Sequence, residues 1–400
     1  MTPCTKCRFC DTPLIEFMDL GQQCLQGQFP GLDKPDPPAY PLTVAFCSGC
    51  RLVQLGQDVE SAEMFSRYWY RSSVSDTMKA HLAETVKVSK ARLVRIDKKV
   101  SVLDIGGNDG TLLSNFRTAD KTLIDPSDVK VEYPGITRIT DFFPSENLGG
   151  KYDLIFAIAC FYATPNPRRW LVAAQNLLKR NGLLVIEVND LAMMADQVMF
   201  DAVVHEHRLY ISHASMYAMA SECLLKIIAI DRTDSNGGSL RYTLCHSGSD
   251  IYPTVEDGHG LSDSWTASWK RWDGIAGLTN CRKFAEDTQT KIRMIRTAVD
   301  RVPGVRHVLG ASTKMAGILQ AAKLTRKDIQ AASDRDPRKR GLVMPGSRVP
   351  ILTEEESRRL NPALYVTSLP WREEILEREH GNGKRSILFV NPEVELVAVS

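Results

Sequence analysis

Ser101 to Phe116 has the sequence SVLDIGGNDGTLLSNF, an apolar run that breaks at a glycine-rich turn and resumes as an amphipathic pattern. This pattern predicts the first β-strand, the turn and the first helix of a doubly wound α/β domain. The glycines let the backbone approach a ligand closely, and Asp109 can accept a hydrogen bond there. Asp125 follows at the predicted end of the next strand, where a carboxylate can hold the two hydroxyls of a ribose.

The turn differs from the GxGxxG pattern of dinucleotide-binding proteins. The combination DIGGNDG…LID resembles the S-adenosylmethionine site of class I methyltransferases, which joins an acidic residue, a short glycine turn and an acid after the second strand. The resemblance implies that the chain binds S-adenosylmethionine. The expected cofactor contacts are Asp104, Gly106, Gly107, Asn108, Asp109, Gly110, Asp125, Pro126, Phe142 and Ala157.

Two CxxC knuckles near the N-terminus predict a metal site. Cys7 and Cys10 form the first and Cys47 and Cys50 the second, and four thiolates satisfy tetrahedral zinc. Cys4 and Cys7 form an alternative first knuckle, although the residues after Cys10 fit a knuckle better. Four sulfur ligands leave no open position, so we expect a zinc ion that stabilises a small domain.

Composition and charge narrow the functional classes. The 400 residues suggest two or three domains, and a net charge of +2 with mixed signs does not favour nucleic acid or a membrane surface as a partner. No apolar run reaches the length of a spanning helix, and MTPCTKCRFC lacks a signal region. Ten cysteines in such a chain favour thiols over disulfides. We therefore expect a cytoplasmic protein.

Strand and helix patterns alternate after the glycine turn. TLID, ITRITDFF, YDLIFAIAC and GLLVIEV are predicted strands, NPRRWLVAAQNLLKR is a predicted helix, and LLKIIAID and GGSLRYTLCH are the last two predicted strands. Residues 157–162 lie at the carboxyl end of one of these strands, which is where ligands bind in such sheets.

The segment FDAVVHEHRLY, residues 200–210, is the strongest candidate for chemistry. His205, Glu206 and His207 are consecutive, which does not match the HExxH zinc pattern. A histidine beside a carboxylate is a plausible general base, because the carboxylate can fix the imidazole tautomer and raise its basicity. An incidental hydrogen-bonded turn is the structural alternative.

Two further segments are candidates for acceptor binding. MFSRYWYRSSVSDTMKAHLAETV is either a packing segment or a lid with Tyr68, Tyr70 and Ser73 facing the acceptor. In RHVLGASTKMAGILQAA, the turn at residues 310–314 begins a predicted helix and is suited to a diphosphate, or is simply a helix cap. Further candidates for contacts with the acceptor are Arg241, Ser312, Lys314 and Arg348.

Taken in order, the motifs CRFC…FCSGC, YWYRSSVSDTMKAH, DIGGNDG, FDAVVHEHRLYIS, NGGSLRYT and GASTK…SDRDPRKRGLVMPGSRVPI resemble the nucleotide-sugar C-methyltransferases of deoxysugar and antibiotic biosynthesis. The resemblance extends from about residue 7 to residue 390. It implies a zinc-binding domain (1–72), a class I methyltransferase domain (73–245) and a C-terminal Rossmann-like domain with bridging helices (246–400), in an α/β protein expected to be a monomer. It also implies a nucleotide-diphosphate 4-keto sugar as the acceptor, His207 as the catalytic base and Glu206 as its assistant.

The chemistry of such an acceptor fits these residues. A carbon beside a ketone carries an acidic C–H, so His207 can remove its proton to give an enolate that accepts a methyl group. Tyr162, Tyr70 or His205 could donate a hydrogen bond to the enolate oxygen.

Three positions differ from the family pattern. The family usually has Tyr immediately before HEH, where this chain has Val204, and Asn and His after the fourth strand, where this chain has Ile158 and Tyr162. Two alternatives therefore stay open: O-, N- or C-methylation of a different small molecule, and a relative that binds cofactor and nucleotide without catalysis.

Overall fold

The computed structural model describes residues 1–66, 69–93, 99–251, 274–369, 372–381 and 383–399, with the side chains of 274–276 excepted. Three sheets follow one another along the chain, with four, seven and six strands, beside a two-stranded ribbon of β1 and β5. The N-terminal elements are β1 (Thr2–Pro3), β2 (Leu14–Cys24), β3 (Ala39–Cys47), β4 (Val53–Leu55), β5 (Gln57–Asp58) and α1 (Ser61–Phe65).

The β2–β3 hairpin brings the two cysteine knuckles together. The strands pair antiparallel with Leu14 opposite Cys47, so the loop before β2 and the loop after β3 meet at one end of the sheet. Buried Met18, Val44 and Phe46 line its inner side. The sheet is completed by a short strand from much later in the chain, as described below.

The central part is a doubly wound sheet. Its elements are α2 (Asp76–Ala91), β6 (Val100–Ile105), α3 (Thr111–Ser114), β7 (Ala119–Ile124), β8 (Ile136–Ile139), β9 (Tyr152–Ile158), α4 (Pro167–Leu177), β10 (Leu178–Asn189), α5 (Leu191–Asp196), β11 (Leu209–Tyr210), α6 (His213–Glu222), β12 (Leu225–Thr233) and β13 (Ser239–His246). The strand order is β12-β13-β10-β9-β6-β7-β8, and only β13 runs antiparallel to its neighbours. Short 3-10 helices interrupt the loops at Phe161–Ala163, Phe200–Ala202 and Ser235–Gly237.

Apolar side chains cover both faces of this sheet. Leu103 and Ile155 pack on one face, and Val102 and Leu154 pack on the other, as the period of two along a strand requires. The chain order reverses between β6 and β9, so a crevice opens there at the carboxyl ends of the strands. The sequence predicted these strands and this crevice, and both predictions are confirmed.

The C-terminal part is a mixed α/β domain. It comprises α7 (Gly274–Arg301), β14 (Arg306–Leu309), α8 (Thr313–Ala321), β15 (Ala331–Asp334), β16 (Ile351–Thr353), α9 (Glu354–Arg359), β17 (Leu364–Thr367), α10 (Arg372–Glu379), β18 (Arg385–Phe389) and β19 (Glu395–Val399). The strand order is β16-β15-β14-β17-β18-β19, with β19 alone antiparallel. The predicted strand, turn and helix after Arg306 correspond to β14 and α8.

The three parts are not independent of one another. Strand β11, which follows the His-Glu-His segment, leaves the central domain and pairs with β4 of the N-terminal sheet. Met18 of β2, Phe200 and Met315 of α8 belong to a single buried apolar cluster. The His-Glu-His segment therefore lies where all three parts meet. Among the helices in the described ranges, none is long and apolar enough to cross a bilayer.

Candidate active site

A cavity of about 510 Å³ opens at the carboxyl ends of β6, β7, β9 and β10, in the crevice of the central sheet. The N-terminal part and the first turn of α8 close its other sides. Twelve residues predicted from the sequence line it, namely Tyr70, Asp104, Gly106, Gly107, Asn108, Asp125, Pro126, Phe142, Tyr162, Glu206, His207 and Lys314. Cofactor and acceptor candidates thus share one space.

The glycine turn forms the floor of the cavity. Gly106 has φ +68°, and a Cβ built on it would lie 2.8 Å from the Cβ of Cys160. A Cβ on Gly107 would lie 2.7 Å from Leu123 Cγ and 2.8 Å from Asp104 Oδ2. Side chains are therefore excluded at both positions, and the bare backbone remains open to a ligand.

Two buried acids lie beside this turn. Asp125 Oδ2 accepts a hydrogen bond from the Asn108 backbone N–H at 3.0 Å, and Oδ1 accepts one from the Ser127 N–H at 2.9 Å. A carboxylate has about four acceptor sites, so Asp125 keeps capacity for a ribose hydroxyl. Burial and the carboxylates of Asp125 and Asp109 raise the pKa of Asp104 well above its usual value. The turn and the acids together fit S-adenosylmethionine.

Asn108 and Asp109 fasten the aromatic segment to the glycine turn. Asn108 Nδ2 donates to the Tyr70 carbonyl at 3.0 Å, and Asn108 Oδ1 accepts from the Ser72 N–H at 3.2 Å. Asp109 Oδ2 accepts from the Ser73 N–H at 2.8 Å. Asp109 and Ser73 therefore support the cavity from outside it. Tyr70 lines the cavity, whereas Tyr68 lies outside the described residues.

His207 lines the cavity in contact with Tyr162. The two ring centroids are 4.0 Å apart, with planes inclined by 49°. His207 Nδ1 lies 3.1 Å from the Ala202 carbonyl oxygen, which can only accept, so Nδ1 carries the proton and Nε2 is the basic nitrogen. Burial, assisted by the nearby Lys314 ammonium, lowers the pKa of His207 to about 3. The ring is therefore a neutral imidazole at physiological pH.

Glu206 does not orient His207, contrary to the expectation from the sequence. Its Oε1 accepts from the Gly27 backbone N–H at 2.9 Å, so the carboxylate is held by the N-terminal part. The other oxygen, Oε2, is buried without a hydrogen-bond partner among the described residues. Burial raises the pKa of Glu206. The backbone carbonyl of Ala202 takes the orienting role instead.

His205 is buried away from the cavity, so it cannot contact the enolate oxygen as expected. Its Nδ1 lies 2.9 Å from Gln26 Oε1, and its ring packs edge-on against Tyr40. Burial lowers the pKa of His205 to about 4. The chain turns at His205 and Glu206, so His205 contacts Gln26 and Tyr40 of the N-terminal part while His207 faces the cavity.

Five other predicted contacts do not line the cavity. Ala157 and Gly110 are buried in the fold, and Ser312 caps α8 by accepting from the Met315 N–H at 3.1 Å. Arg241 forms a buried ion pair with Glu187, with 2.9 Å between Nε and Oε2. Arg348 donates to the carbonyls of Leu32 and Lys34 in the N-terminal part.

Among the cavity residues that sequence reasoning missed, Asp201, Thr313 and Arg169 carry polar groups suited to binding an acceptor. Asp201, which is 1% exposed, lies six residues before His207. The sequence feature that could have identified it is a lone acidic residue in an apolar run. Thr313 lines the cavity beside Lys314. Arg169, at the start of α4, is exposed at its edge. No motif marks the last two, because only the folded chain brings α4 and α8 to this crevice.

The four predicted zinc ligands form a single cluster. The sulfurs of Cys7, Cys10, Cys47 and Cys50 all lie within 4.8 Å of one another, and neighbouring pairs are 3.4–3.6 Å apart. Tetrahedral zinc with Zn–S bonds of about 2.3 Å requires sulfurs about 3.8 Å apart, so the cluster fits zinc closely. Cys4 instead points its thiol at the Lys6 carbonyl. The geometry therefore favours the Cys7–Cys10 knuckle.

Comparison with known sequences identifies three regions. Residues 7–65 match a zinc-binding domain family found in methyltransferases, residues 78–228 a methyltransferase domain, and residues 234–392 a C-methyltransferase C-terminal domain. The chain is 26% identical to the C-methyltransferase NovU of Streptomyces niveus, over 99% of this chain and 97% of that protein.

Solved structures resemble part of the chain. A methyltransferase from Clostridium acetobutylicum shares 14% identity with a TM-score of 0.35, over 44% of this chain and 93% of that one. The magnesium protoporphyrin IX methyltransferase of Synechocystis, solved with S-adenosylhomocysteine, shares 14% identity with a TM-score of 0.34, over 42% and 83%.

Proposed function

We propose that this S-adenosylmethionine-dependent methyltransferase transfers a methyl group to carbon and that its acceptor is a nucleotide-diphosphate-linked keto-deoxysugar. The matches to a zinc-binding domain, a methyltransferase domain and a C-methyltransferase C-terminal domain support this proposal. One observation carries the proposal: the basic Nε2 of His207 belongs to a ring that lines the same cavity as the glycine turn. A proton acceptor and the expected methyl-donor site are therefore adjacent.

The glycine turn and Asp125 would hold the cofactor. S-adenosylmethionine bound there supplies a methyl group on a positively charged sulfur, already activated for transfer to a carbanion. The protein must therefore position the acceptor, remove a proton from its carbon and exclude water. The segment around Tyr70, fastened by Asn108 and Asp109, covers this end of the cavity.

His207 acts as the base in this proposal. It takes a proton from the carbon beside the ketone, the C–H electron pair enters the enolate, and the new carbon–carbon bond uses that pair. Because Nδ1 is held by the Ala202 carbonyl, the imidazole receives the proton on Nε2. Tyr162, whose ring contacts that of His207 in the cavity, would donate a hydrogen bond to the enolate oxygen.

The nucleotide side of the acceptor meets basic groups at the edge of the cavity. Lys314 and Thr313 begin α8, whose backbone N–H groups favour an anion, and Arg169 also lines the cavity. These groups suit a diphosphate. The C-terminal domain would then contribute the nucleotide subsite, and the central domain would contribute the chemistry.

A second candidate is methylation of a different small molecule. Val204 and Ile158 line the cavity where related enzymes usually carry polar residues, and Val204 is 4% exposed. Fewer polar groups therefore face the acceptor on that side. An acceptor with an apolar edge would fit these two residues better than a fully hydroxylated sugar.

The test uses S-adenosylmethionine with a labelled methyl group and a panel of nucleotide-linked 4-keto-6-deoxy sugars. We expect label on a ring carbon, located by NMR. We also expect kcat to fall by about 10²- to 10⁴-fold in His207→Ala. His380→Ala, at the exposed end of α10, is the matched histidine control and should retain its rate. Label on oxygen or nitrogen would favour the second candidate, and an unchanged rate in His207→Ala would exclude His207 as the base.

A further inference from the structure

Asp201 lines the cavity and carries a carboxylate oxygen that has no hydrogen-bond partner among the described residues. The residue is 1% exposed, lies in the 3-10 turn Phe200–Ala202 and lines the cavity. Its Oδ1 is buried and has no hydrogen-bond partner in the part of the chain that the structure describes. Burying such an oxygen without a partner costs free energy, and native proteins rarely do so without a functional reason. The arrangement indicates that a ligand supplies the missing donor.

A network from the C-terminal domain fixes the other oxygen of Asp201. Asn391 Nδ2 donates to Asp201 Oδ2 at 2.9 Å, and Asn391 Oδ1 accepts from Lys291 Nζ at 2.8 Å. Because the ammonium can only donate, it holds the Asn391 amide with its NH₂ group toward Asp201. The carboxylate is thereby held through Oδ2, which leaves Oδ1 as its unpaired oxygen.

Glu206 repeats the arrangement in the same cavity. Its Oε1 is held by the Gly27 N–H, and its Oε2 is buried and unpaired among the described residues. Two residues that line the same cavity thus each carry a buried acceptor oxygen without a partner among the described residues. An acceptor with hydroxyl or amino groups satisfies both, whereas an apolar acceptor leaves both without partners.

We propose that Asp201 is an acceptor-positioning residue whose Oδ1 accepts a hydrogen bond from a hydroxyl or amino group on the ring of the substrate. The inference rests on the proposed function, because it takes the sugar as the molecule that His207 deprotonates. Asp201 itself transfers no proton. It fixes the rotation of the ring, so that the reacting carbon faces His207 Nε2.

The test measures acceptor binding in the presence of S-adenosylhomocysteine, which prevents turnover. The probes are nucleotide-diphosphate sugars that differ at one ring carbon by hydroxyl, amino or hydrogen, each with and without the 4-keto group. At one ring position, the native protein should bind the probe that carries a hydroxyl or amino group at least tenfold more tightly than the probe that carries hydrogen there. Asp201→Ala should abolish that preference and leave S-adenosylhomocysteine affinity unchanged.

Asp201→Asn guards against misfolding of the alanine variant. Its amide oxygen can keep the contact with Asn391, so its NH₂ group takes the place of Oδ1. Because this group donates, an amino-bearing probe should bind at least tenfold more weakly to the variant. Asp196→Asn, an exposed change in the same region, should bind like the native protein. The inference would be overturned if Asp201→Ala lost the same affinity for donor-bearing and hydrogen-bearing probes. It would also be overturned if this variant kept the native preference for the donor-bearing probe. If no keto sugar is methylated but an Asp201-dependent preference persists among the probes, only the proposed function fails.

Discussion

At the scale of the single residue, Gly107 is a position where the cofactor turn has no room for a side chain. A methyl group there would lie 2.7 Å from Leu123 Cγ and 2.8 Å from Asp104 Oδ2, so Gly107→Ala must displace the turn or the strand beside it. We expect S-adenosylmethionine affinity to fall at least tenfold, measured by calorimetry. We also expect the free energy of unfolding to fall by about 1–3 kcal/mol. Gly149→Ala is the control, because nothing lies within 4 Å of a Cβ at that position.

His205 makes stability depend on pH. Its pKa is lowered to about 4 by burial, whereas the unfolded chain binds the proton near pH 6.5. Between these values the unfolded state holds more protons, so stability rises with pH and is lost as the pH falls from about 6.5 to 4. We expect His205 to account for up to roughly 3 kcal/mol of this loss.

Denaturant unfolding of native protein and His205→Gln across this pH range measures that contribution. Glutamine does not titrate and can still bond Gln26, so the variant should show a shallower acid dependence. Identical slopes for the two proteins would show that His205 is not the group responsible.

At the scale of elements, the zinc knuckle is connected to the catalytic segment. Arg8, between Cys7 and Cys10, forms a salt bridge with Asp58 at 3.1 Å. The same carboxylate binds Arg208, whose Nη1 also donates to the Ala163 carbonyl at the cavity. Arg208 follows His207 directly in the chain. The structural metal therefore supports the position of the proposed base.

Cysteine replacement tests both the ligand set and this connection. Cys7→Ser should lose the zinc, lower the free energy of unfolding by several kcal/mol and reduce methyl transfer. Cys4→Ser should retain one zinc ion per chain and normal activity, because its thiol points at the Lys6 carbonyl. Metal analysis by mass spectrometry, thermal unfolding and turnover provide the measurements. Zinc loss from Cys4→Ser with retention in Cys7→Ser would reverse the assignment.

Elements with a local sequence signal were predictable. The glycine turn, the central strands and both knuckles depend on residues close together in sequence, and the structure has them where they were expected. The direction of each side chain in the His-Glu-His turn was not predictable, because it depends on Gly27 and Gln26 from the N-terminal part. Arg348 has a positive φ of +58° and binds carbonyls that lie 314 and 316 residues earlier in the chain, which no local pattern encodes.

At the scale of the whole molecule, Lys291 joins the central and C-terminal parts. Its ammonium, at the end of a side chain on α7, donates to the carbonyls of Gln197 and Val198 and to Asn391 and Pro392, at 2.8–3.1 Å. Burial lowers the pKa of Lys291 to about 8. Lys291→Met leaves these acceptors unpaired, so we expect the free energy of unfolding to fall by about 2–4 kcal/mol, measured by denaturant titration at pH 7.

Lys291→Met also tests whether the C-terminal domain positions the acceptor or supports the whole central domain. Lys291 orients Asn391, which holds Asp201, so Lys291→Met should raise KM for the acceptor while S-adenosylmethionine affinity stays unchanged. Lys283→Met is the control on the same helix, because its exposed ammonium bonds only Asp287 among the described residues. A parallel loss of cofactor affinity in Lys291→Met would mean that the interface supports the whole central domain. A change confined to the acceptor would mean that the C-terminal domain positions the substrate through Asp201.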